Sequence, residues 1–445
     1  MHALGLFLAL AARAPAGTPD PEGVLTLDAV LTRALEEAPP VTSAKAQANV
    51  VRSRIDIADA ASLPSLDGVL STSALASNGL SLLSTSAQCS AADFASSAAA
   101  ACGEGVRANG DVGVSLEARW LIFDFGRTAE SVRSALLSAN AADADVHSTS
   151  LQAAVAAGTS FLALSGGLAL VDARKQIVDE RQRLLEVAHG RVAAGAASPI
   201  EETRAQVSLE TAKVDVRTAE AAAADAAASL AIALGMDPTK PVHIEPPEAL
   251  HVDAEPAHAA DLAEQRRPEL ASWRLRVAAA AAALASARAA RHPSLAATAS
   301  AGAELNGDVT PGATLGEGAR IGASFTIPIF EPQTSAAIAS AEAQSQVVQA
   351  HYRQAALAIR GEAARAATAV LSFSAALAAA EQLQEQADDN YRQAVGRYQA
   401  GAAGSLELID AEAQQSAAVL SVIDARFRLE GAKLRLMAAT GSLPR

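Results

Sequence analysis

The sequence predicts a mainly α-helical protein with a small β part, built from two structural repeats. The stretch between Phe123 and Gly195 contains no proline, and a tract of nearly the same length runs from about Ser335 to Gln399. Both indicate helices that are longer than those of ordinary globular domains. Four shorter stretches are predicted to be strands with one apolar and one polar face, although the alternation is poor in the first of them. Each half of the chain carries these segments in one order: helix, strand, strand, helix, helix.

The repeat is clearest at two glycine-containing turns between helical tracts. Four residue types recur after 206 positions: Arg191 and Arg397, Gly195 and Gly401, Glu201 and Glu407, Ala205 and Ala411. Gly235 and Gly441 keep the same offset. Glycines at these positions interrupt the helical pattern, as tight turns between helices require. We therefore divide the chain into repeat one (about 24–235), a connector (236–260) and repeat two (about 261–441).

Composition and charge restrict the class of protein. Half of the residues are hydrophobic but only 3% are aromatic, and the formal net charge is −14. Alanine buries little apolar surface per side chain but lets long helices approach closely. The acidic balance argues against nucleic acid as a partner. A short apolar run from Leu4 to Ala12, followed by Ala14-Pro-Ala16, predicts a signal peptide over 1–16 and a mature chain over 17–445.

The two cysteines lie in a loop rich in serine and alanine. Cys89 and Cys102 are the only cysteines of the chain. In an exported protein we expect them to form a disulfide, with two free thiols as the alternative. A metal site needs more ligands than this pair offers.

The strands and the first helix can be placed from local pattern. A helix opens at Leu25–Asp28 and continues past Pro39-Pro40 to about Leu63. Strands are expected at 65–77, 112–122, 295–304 and 321–329, and Trp120, Phe123 and Phe330 lie at or just beyond strand ends. Amphipathic strands of about ten residues are typical of outer-membrane barrels, and the alternative is a sheet on the flank of a soluble protein. The predicted signal peptide and the terminal aromatics favour the barrel, with these three aromatics at the membrane interface.

Four strands cannot close a barrel alone, because single-chain barrels need eight or more. Open sheet edges are not tolerated in lipid. The barrel must therefore be shared among identical chains in a cyclic oligomer, and the residues themselves leave two, three or four copies open.

The long helices predict a coiled-coil-like tube or rod. A helix from Arg127 to Gly195 would be on the order of 100 Å long. Four of its charged residues indicate an exposed face: Arg181, Arg183, Glu186 and Arg191. The stretch from Val146 to Val171 carries no charge apart from a titratable His147 and is long enough to span a bilayer. Its Ala, Ser, Thr and Gly content favours a helix buried in a bundle over a transmembrane helix.

Taken together, these motifs resemble the TolC-type outer-membrane efflux proteins. Pro-Ser-Leu precedes the first strand of each half, while Ile-Phe-Asp-Phe-Gly126 and Ile-Pro-Ile-Phe330 follow the second. Gly195-Ala-Ala-Ser198, Gly401-Ala-Ala-Gly404, Leu-Glu-Leu-Ile-Asp-Ala411 and Ala-Leu-Gly235 complete the set. The resemblance implies a homotrimer with a twelve-stranded barrel in the outer membrane and a helical tunnel in the periplasm. It also implies turns at Gly195–Ser198 and Gly401–Gly404 as periplasmic tips, where an adaptor protein of a tripartite pump or type I secretion system docks.

The resemblance further implies acidic rings that close the periplasmic entrance. Counted from the turn glycine, the ring positions fall on Glu407 and Asp410, and the alternative is two solvated carboxylates at a helix start. Repeated around a narrow pore, these charges would favour cations. Some relatives latch the closed gate with a basic residue near the turn. Ala403 and Gly404 offer none here, and Arg397 and Arg204 are the substitutes.

No catalytic motif is evident, and we expect neither an enzyme nor a cofactor. The chain lacks a P-loop, a nucleophile elbow and a His-Glu-x-x-His pattern. The His251–Asp261 segment has no spacing typical of a metal site and is interpreted as a solvated connector. The sequence thus predicts a passive outer-membrane export duct for small molecules or proteins, served by an inner-membrane transporter. The alternative is a periplasmic coiled-coil structural protein without a pore.

Overall fold

A computed structural model describes residues 24–78, 106–308 and 314–443. The described part is mostly helical and carries one antiparallel sheet. The predicted signal peptide at 1–16 and the predicted disulfide between Cys89 and Cys102 lie outside the described residues.

The helices of the two halves have closely matched lengths. The first and fifth have 11 residues each, the second and sixth 22, the third 67 and the seventh 68, and the fourth and eighth 35. Their bounds are α1 (Leu27–Glu37), α2 (Pro39–Ala60), α3 (Arg127–Ala193), α4 (Pro199–Ala233), α5 (Pro256–Arg266), α6 (Pro268–Ala289), α7 (Pro332–Gln399) and α8 (Ser405–Ala439). The two long helices and the two that follow the glycine turns begin and end within a few residues of their predicted positions.

The prediction of one continuous first helix is wrong, because the structure divides this segment into α1 and α2. Ala38 has φ −55° and ψ 143°, which is an extended conformation. The ring of Pro39 disfavours helical angles at the preceding residue, and proline is well accommodated at the first position of a new helix. The chain therefore turns at Ala38 and starts again.

Two compact units make up the described chain, and each contains segments of both halves. The helical unit comprises the segment that ends at Ala46, together with Asp143–Ala271 and the chain from Gln354 onward. The sheet unit comprises Gln47–Ala142 and Ser272–Arg353. Helices α2, α3, α6 and α7 contribute residues to both.

The helical unit has its main core around Phe161, which is fully buried with Leu31, Leu230 and Leu434. Gly158 lies beside them, and a Cβ at that position would be 2.6 Å from Leu434 Cδ2. Large leucines thus fill the space that a side chain on α3 would occupy. Helices α3 and α7 are long and apolar enough to cross a membrane by length and composition alone. The apolar stretch of α3 nevertheless packs in this core, as expected of a bundle helix.

The sheet unit holds four antiparallel strands in the order β1-β2-β3-β4: β1 (Ser65–Asn78), β2 (Val106–Phe123), β3 (Ser294–Asp308) and β4 (Thr314–Thr326). The predicted alternation is confirmed, but the strands are longer than expected, and β4 ends before Ile327 and Ile329. Pro328 explains this early end, since it lacks the N–H that a strand ladder requires.

The register aligns one apolar and one polar face across all four strands. Leu66, Ala118, Ala299 and Ile321 share one row, while Asp67, Glu117, Ser300 and Arg320 share the next. The apolar side chains are exposed in the single chain, with Leu70 at 75% and Ile321 at 88%. The apolar face also carries a charged residue, since the register puts the Glu317 carboxylate on it, opposite Ala303.

Candidate functional site at the helical turns and the sheet

Two turns of matching geometry connect α3 to α4 and α7 to α8. Gly195 and Gly401 both have φ 72°, in the left-handed region that glycine tolerates best. At the first turn, Gly195 N–H donates to Val192 O and Ala196 N–H to Arg191 O; Gly401 and Ala402 repeat the pattern with Tyr398 and Arg397. These pairs form Schellman motifs, which satisfy the last carbonyls of each long helix. The predicted turns at Gly195–Ser198 and Gly401–Gly404 therefore lie where the chain reverses between helices.

Tyr398 connects the two turns. The Arg191 guanidinium lies 4.2 Å from the centre of the Tyr398 ring and donates to Tyr398 O at 2.6 Å. The Tyr398 hydroxyl donates to Glu201 Oε2 at 3.0 Å. Burial, followed by the Glu201 carboxylate, raises the pKa of Tyr398, so the phenol stays protonated and remains a donor. One aromatic side chain thus ties the last turn of α7 to both α3 and α4.

Glu407 and Asp410 lie in the first two turns of α8, and both are exposed. Arg397 Nη1 donates to Glu407 Oε1 at 2.5 Å, across the turn. Asp410 Oδ2 accepts a hydrogen bond of 2.8 Å from Gln414. Ser198 makes no side-chain cap bond and Gly404 has no side chain to make one. Pro199 at the start of α4 and the acidic Glu407 in the first turn of α8 are the helix-start signals instead. Among the described residues of the single chain, Arg397 is therefore the basic residue that forms an ion pair with the predicted gate carboxylate Glu407.

A second set of polar residues lies deeper between the helices, and we call it the buried layer: Glu180, Arg181, Ser208, Tyr391 and Glu412. Arg181 Nε lies 3.0 Å from Glu412 Oε1, and the Glu412 side chain is only 3% exposed. Arg181 Nη1 also donates to Ser208 O at 3.0 Å and to Ser208 Oγ at 2.9 Å. Burial raises the pKa of Glu412, Arg181 opposes this effect and Glu180 adds to it. Burial and a hydrogen bond with Glu180 likewise raise the pKa of Tyr391.

The prediction that Arg181 and Arg191 belong to an exposed helix face is therefore wrong. The Arg181 side chain is 16% exposed, and Arg191 packs on the ring of Tyr398. Charge alone indicated a solvated face, because the pattern within one helix carries no information about carboxylates and rings on another. The sequence does hold a signal: two of its three tyrosines, Tyr391 and Tyr398, lie close together near the end of α7.

The predicted interface aromatics lie at one end of the sheet. Trp120 and Phe123 are about half exposed, and Phe330 is 85% exposed. The Trp120 indole donates to Ser62 O at 3.0 Å. A register shift lies between Leu121 and Phe123, as a β-bulge produces at a strand end. The indole N–H of Trp120 is therefore satisfied while about half of the side chain stays exposed.

The sequence matches a known family over most of its length. The profile of the family described as "Outer membrane efflux protein" matches residues 30–236 and 259–442. Protein CyaE of Bordetella pertussis is 29% identical over 351 residues, which cover 77% of this chain and 72% of that protein.

Solved structures share the fold at lower identity. Crystal structures of CusC, which describe conformational changes accompanying its folding and transmembrane channel formation, have a TM-score of 0.75 at 18% identity and cover 94% of this chain and 92% of CusC. The CmeC outer membrane channel of Campylobacter jejuni has a TM-score of 0.74 at 17% identity, over 94% of this chain and 85% of CmeC.

Proposed function

Because the chain belongs to the outer membrane efflux protein family, and is thus an outer-membrane channel that extends into the periplasm, we propose that it is a passive export duct. The duct would join an inner-membrane transporter and a periplasmic adaptor to the exterior, for efflux of small molecules or for secretion. The observation that carries the proposal is the four-stranded sheet with its exposed apolar face.

The duct is a homotrimer in this proposal. In the described part of the chain, β1 and β4 each have one neighbouring strand, which leaves the outer edge of each unpaired. Lipid does not tolerate such edges, and closure around a symmetry axis removes them. Three copies of the sheet give twelve strands, within the size range of outer-membrane barrels. The apolar face then contacts lipid and the polar face lines the lumen.

The paired helices form the periplasmic tunnel, and the turns at Gly195 and Gly401 form its tips. Helices α3 and α7 are each on the order of 100 Å long at 1.5 Å per residue. Exposed residues at the turns, such as Ala196, Ala402 and Gly404, offer small side chains to a docking adaptor. Helices α4 and α8 have equal lengths, which supports two hairpins whose turns lie at the same depth in the periplasm.

The gate of the duct lies at the second turn. Glu407 and Asp410 are exposed at the start of α8, where three copies would bring like charges together around the axis. Arg397 holds Glu407 in each chain, which leaves Asp410 as the carboxylate without a cationic partner among the contacts found in the described chain. The entrance would therefore carry a net negative charge and favour cations.

A periplasmic coiled-coil spacer without a pore is the alternative function. Such a protein has no use for a sheet whose apolar face is exposed, since contiguous exposed apolar patches mark membrane or protein contacts. The family match and the sheet together favour the duct.

Membrane fractionation with unheated gel electrophoresis tests the proposal. We expect the protein in the outer-membrane fraction as an oligomer that dissociates on boiling. A soluble monomer in the periplasmic fraction would contradict it, and would support the spacer.

A further inference from the structure

The buried layer contains a charge pair that is expensive to bury. The two charged side chains are 16% and 3% exposed. Although Arg181 Nε and Glu412 Oε1 face each other at 3.0 Å, neither atom has a hydrogen bond of ordinary geometry among the described residues. Burying two charges costs more than their attraction returns unless the geometry is good and the remaining polar atoms are satisfied.

The pair also joins the two helical hairpins. Arg181 and Ser208 belong to the α3–α4 hairpin, whereas Glu412 and Tyr391 belong to the α7–α8 hairpin. Movement of one hairpin away from the other would separate the pair and expose both charges to water. Hydration of the two charges would offset part of the free energy that is needed to separate these alanine-rich helices.

We propose that the Arg181–Glu412 pair is a release element, which lowers the free energy needed to part the two hairpins when the duct opens. The inference rests on the proposed function, because the hairpins need to part only if the turns close a pore. Arg181 and Glu412 are positioning residues in this proposal, since they act through the turns. A cavity of about 30 Å³ beside them, bordered by Ser208, Leu408 and Ile409, has room for one water molecule.

The release element gives the duct a pH dependence of defined sign. Burial raises the pKa of Glu412 above its ordinary 4.5 in the packed hairpins, and hydration in the parted hairpins returns it toward that value. The packed arrangement therefore binds a proton more tightly than the parted one. Acid favours packed hairpins, and this preference disappears as the pH rises through the raised pKa of Glu412.

Other titratable groups face Glu412 and must be considered. Glu180 and Arg181 of α3 and Tyr391 of α7 interact with it, whereas Glu201 of α4 and Tyr398 of α7 line the same cavity. Both tyrosines have raised pKa values, so they keep their protons between pH 5 and pH 7.5. Glu180 adds a negative charge that raises the pKa of Glu412 further.

Planar-bilayer recording of the purified full-length channel tests the release element. The double variant R181M/E412L replaces the pair with apolar side chains of similar volume, which often stabilises packed structures. We expect its open fraction at pH 7.5 to fall roughly tenfold below that of the wild type. We also expect the rise in open fraction of the wild type between pH 5 and pH 7.5 to become smaller in this variant.

The matched control is D424L/R428M, which removes an exposed pair on the same helix. Arg428 Nε lies 2.8 Å from Asp424 Oδ2, and both side chains are more than half exposed. This control should behave like the wild type. Wild-type behaviour of R181M/E412L would overturn the inference and leave the duct intact. Failure of this variant to assemble would also overturn the inference, because the pair would then be needed for packing. A wild-type protein that gives no current would instead contradict the proposed function.

Discussion

At the scale of single residues, the helical turns depend on a few side chains with several partners each. Tyr398 contacts Arg191 through its ring and its carbonyl oxygen, and Glu201 through its hydroxyl. Arg397 reaches Glu407 across the neighbouring turn. The two turns share a backbone conformation but differ in charge. The first carries Glu201 and Arg204, and the second Glu407 and Asp410.

The gate carboxylates are tested by the variant E407A/D410A. If both lie around the pore, their removal lowers the cation selectivity of the channel, measured as the reversal potential across a salt gradient. E202A is the control, because Glu202 is a carboxylate at the other turn that pairs with His189. Unchanged selectivity in E407A/D410A would remove these residues from the gate without contradicting the duct.

The two glycines of the second turn differ in backbone conformation. Gly401 has φ 72°, whereas Gly404 has φ −86° and nothing within 4 Å of the position of an added Cβ. Gly401→Ala should therefore lower the free energy of unfolding by about 1 kcal/mol per chain, because alanine is strained in the left-handed region. Gly404→Ala should be tolerated. Circular dichroism measures the thermal unfolding midpoints of the two variants. Equal midpoints would show that the turn does not need glycine at 401.

Sequence reasoning found the residues of the turns but not those of the buried layer. Gly195 and Gly401 are visible because glycine interrupts a helical pattern and recurs at a fixed offset. Arg181 and Glu412 look like ordinary surface charges within their own helices. Only the packing of α3 against α8 brings them together, and a single helix pattern does not encode that contact.

At the scale of elements, the helix pairs match in length and four glycines have the same conformation. Gly195, Gly235, Gly401 and Gly441 have φ between 68° and 72°. The N–H of each glycine donates to the carbonyl oxygen of the residue three positions earlier, and the N–H of the next residue donates to the carbonyl oxygen five positions before it. Each of the four helices therefore ends in a Schellman motif. These similarities are what a duplication of one unit would leave, and the structure gives that unit the order helix, helix, strand, strand, helix, helix.

The two faces of the sheet give a sharp test of membrane contact. Ala299 and Ser300 are neighbours on β3, but the register puts Ala299 on the apolar face and Ser300 on the polar face. Arginine on a lipid-facing position near the middle of the bilayer costs about 2–4 kcal/mol, whereas a lumen position tolerates it.

We therefore expect Ala299→Arg to reduce the amount of protein in the outer-membrane fraction and Ser300→Arg to leave it near the wild-type amount. Quantitative immunoblotting of membrane fractions measures both. The reverse order would mean that the polar face contacts lipid. An equal reduction in both variants would mean that the two faces do not differ in lipid contact, and the sheet would not be a membrane element.

Element boundaries were predictable to different degrees. The long helices were clear because proline is absent over many turns and glycine marks their ends. The division between α1 and α2 was missed because both flanks of Ala38 are helical in pattern, and only the conformation before Pro39 separates them. Strands β2 and β4 begin earlier than expected, since their first residues include glycines that weaken the alternation.

At the scale of the whole molecule, two features of the single chain support the proposed oligomer. Its sheet leaves apolar side chains exposed and, within the described residues, one edge of β1 and one edge of β4 without a neighbouring strand. In the proposed duct, symmetric association would resolve both features at once, because it would close the edges and turn the apolar face to lipid. The residues alone required an oligomer, and the number of copies came only from the resemblance to the family.

Native mass spectrometry of the complex extracted from the outer membrane in detergent tests the central claim most directly. We expect one assembly whose mass is three times that of the mature chain and which separates into single chains on boiling. A mass equal to one, two or four chains would contradict the shared twelve-stranded barrel.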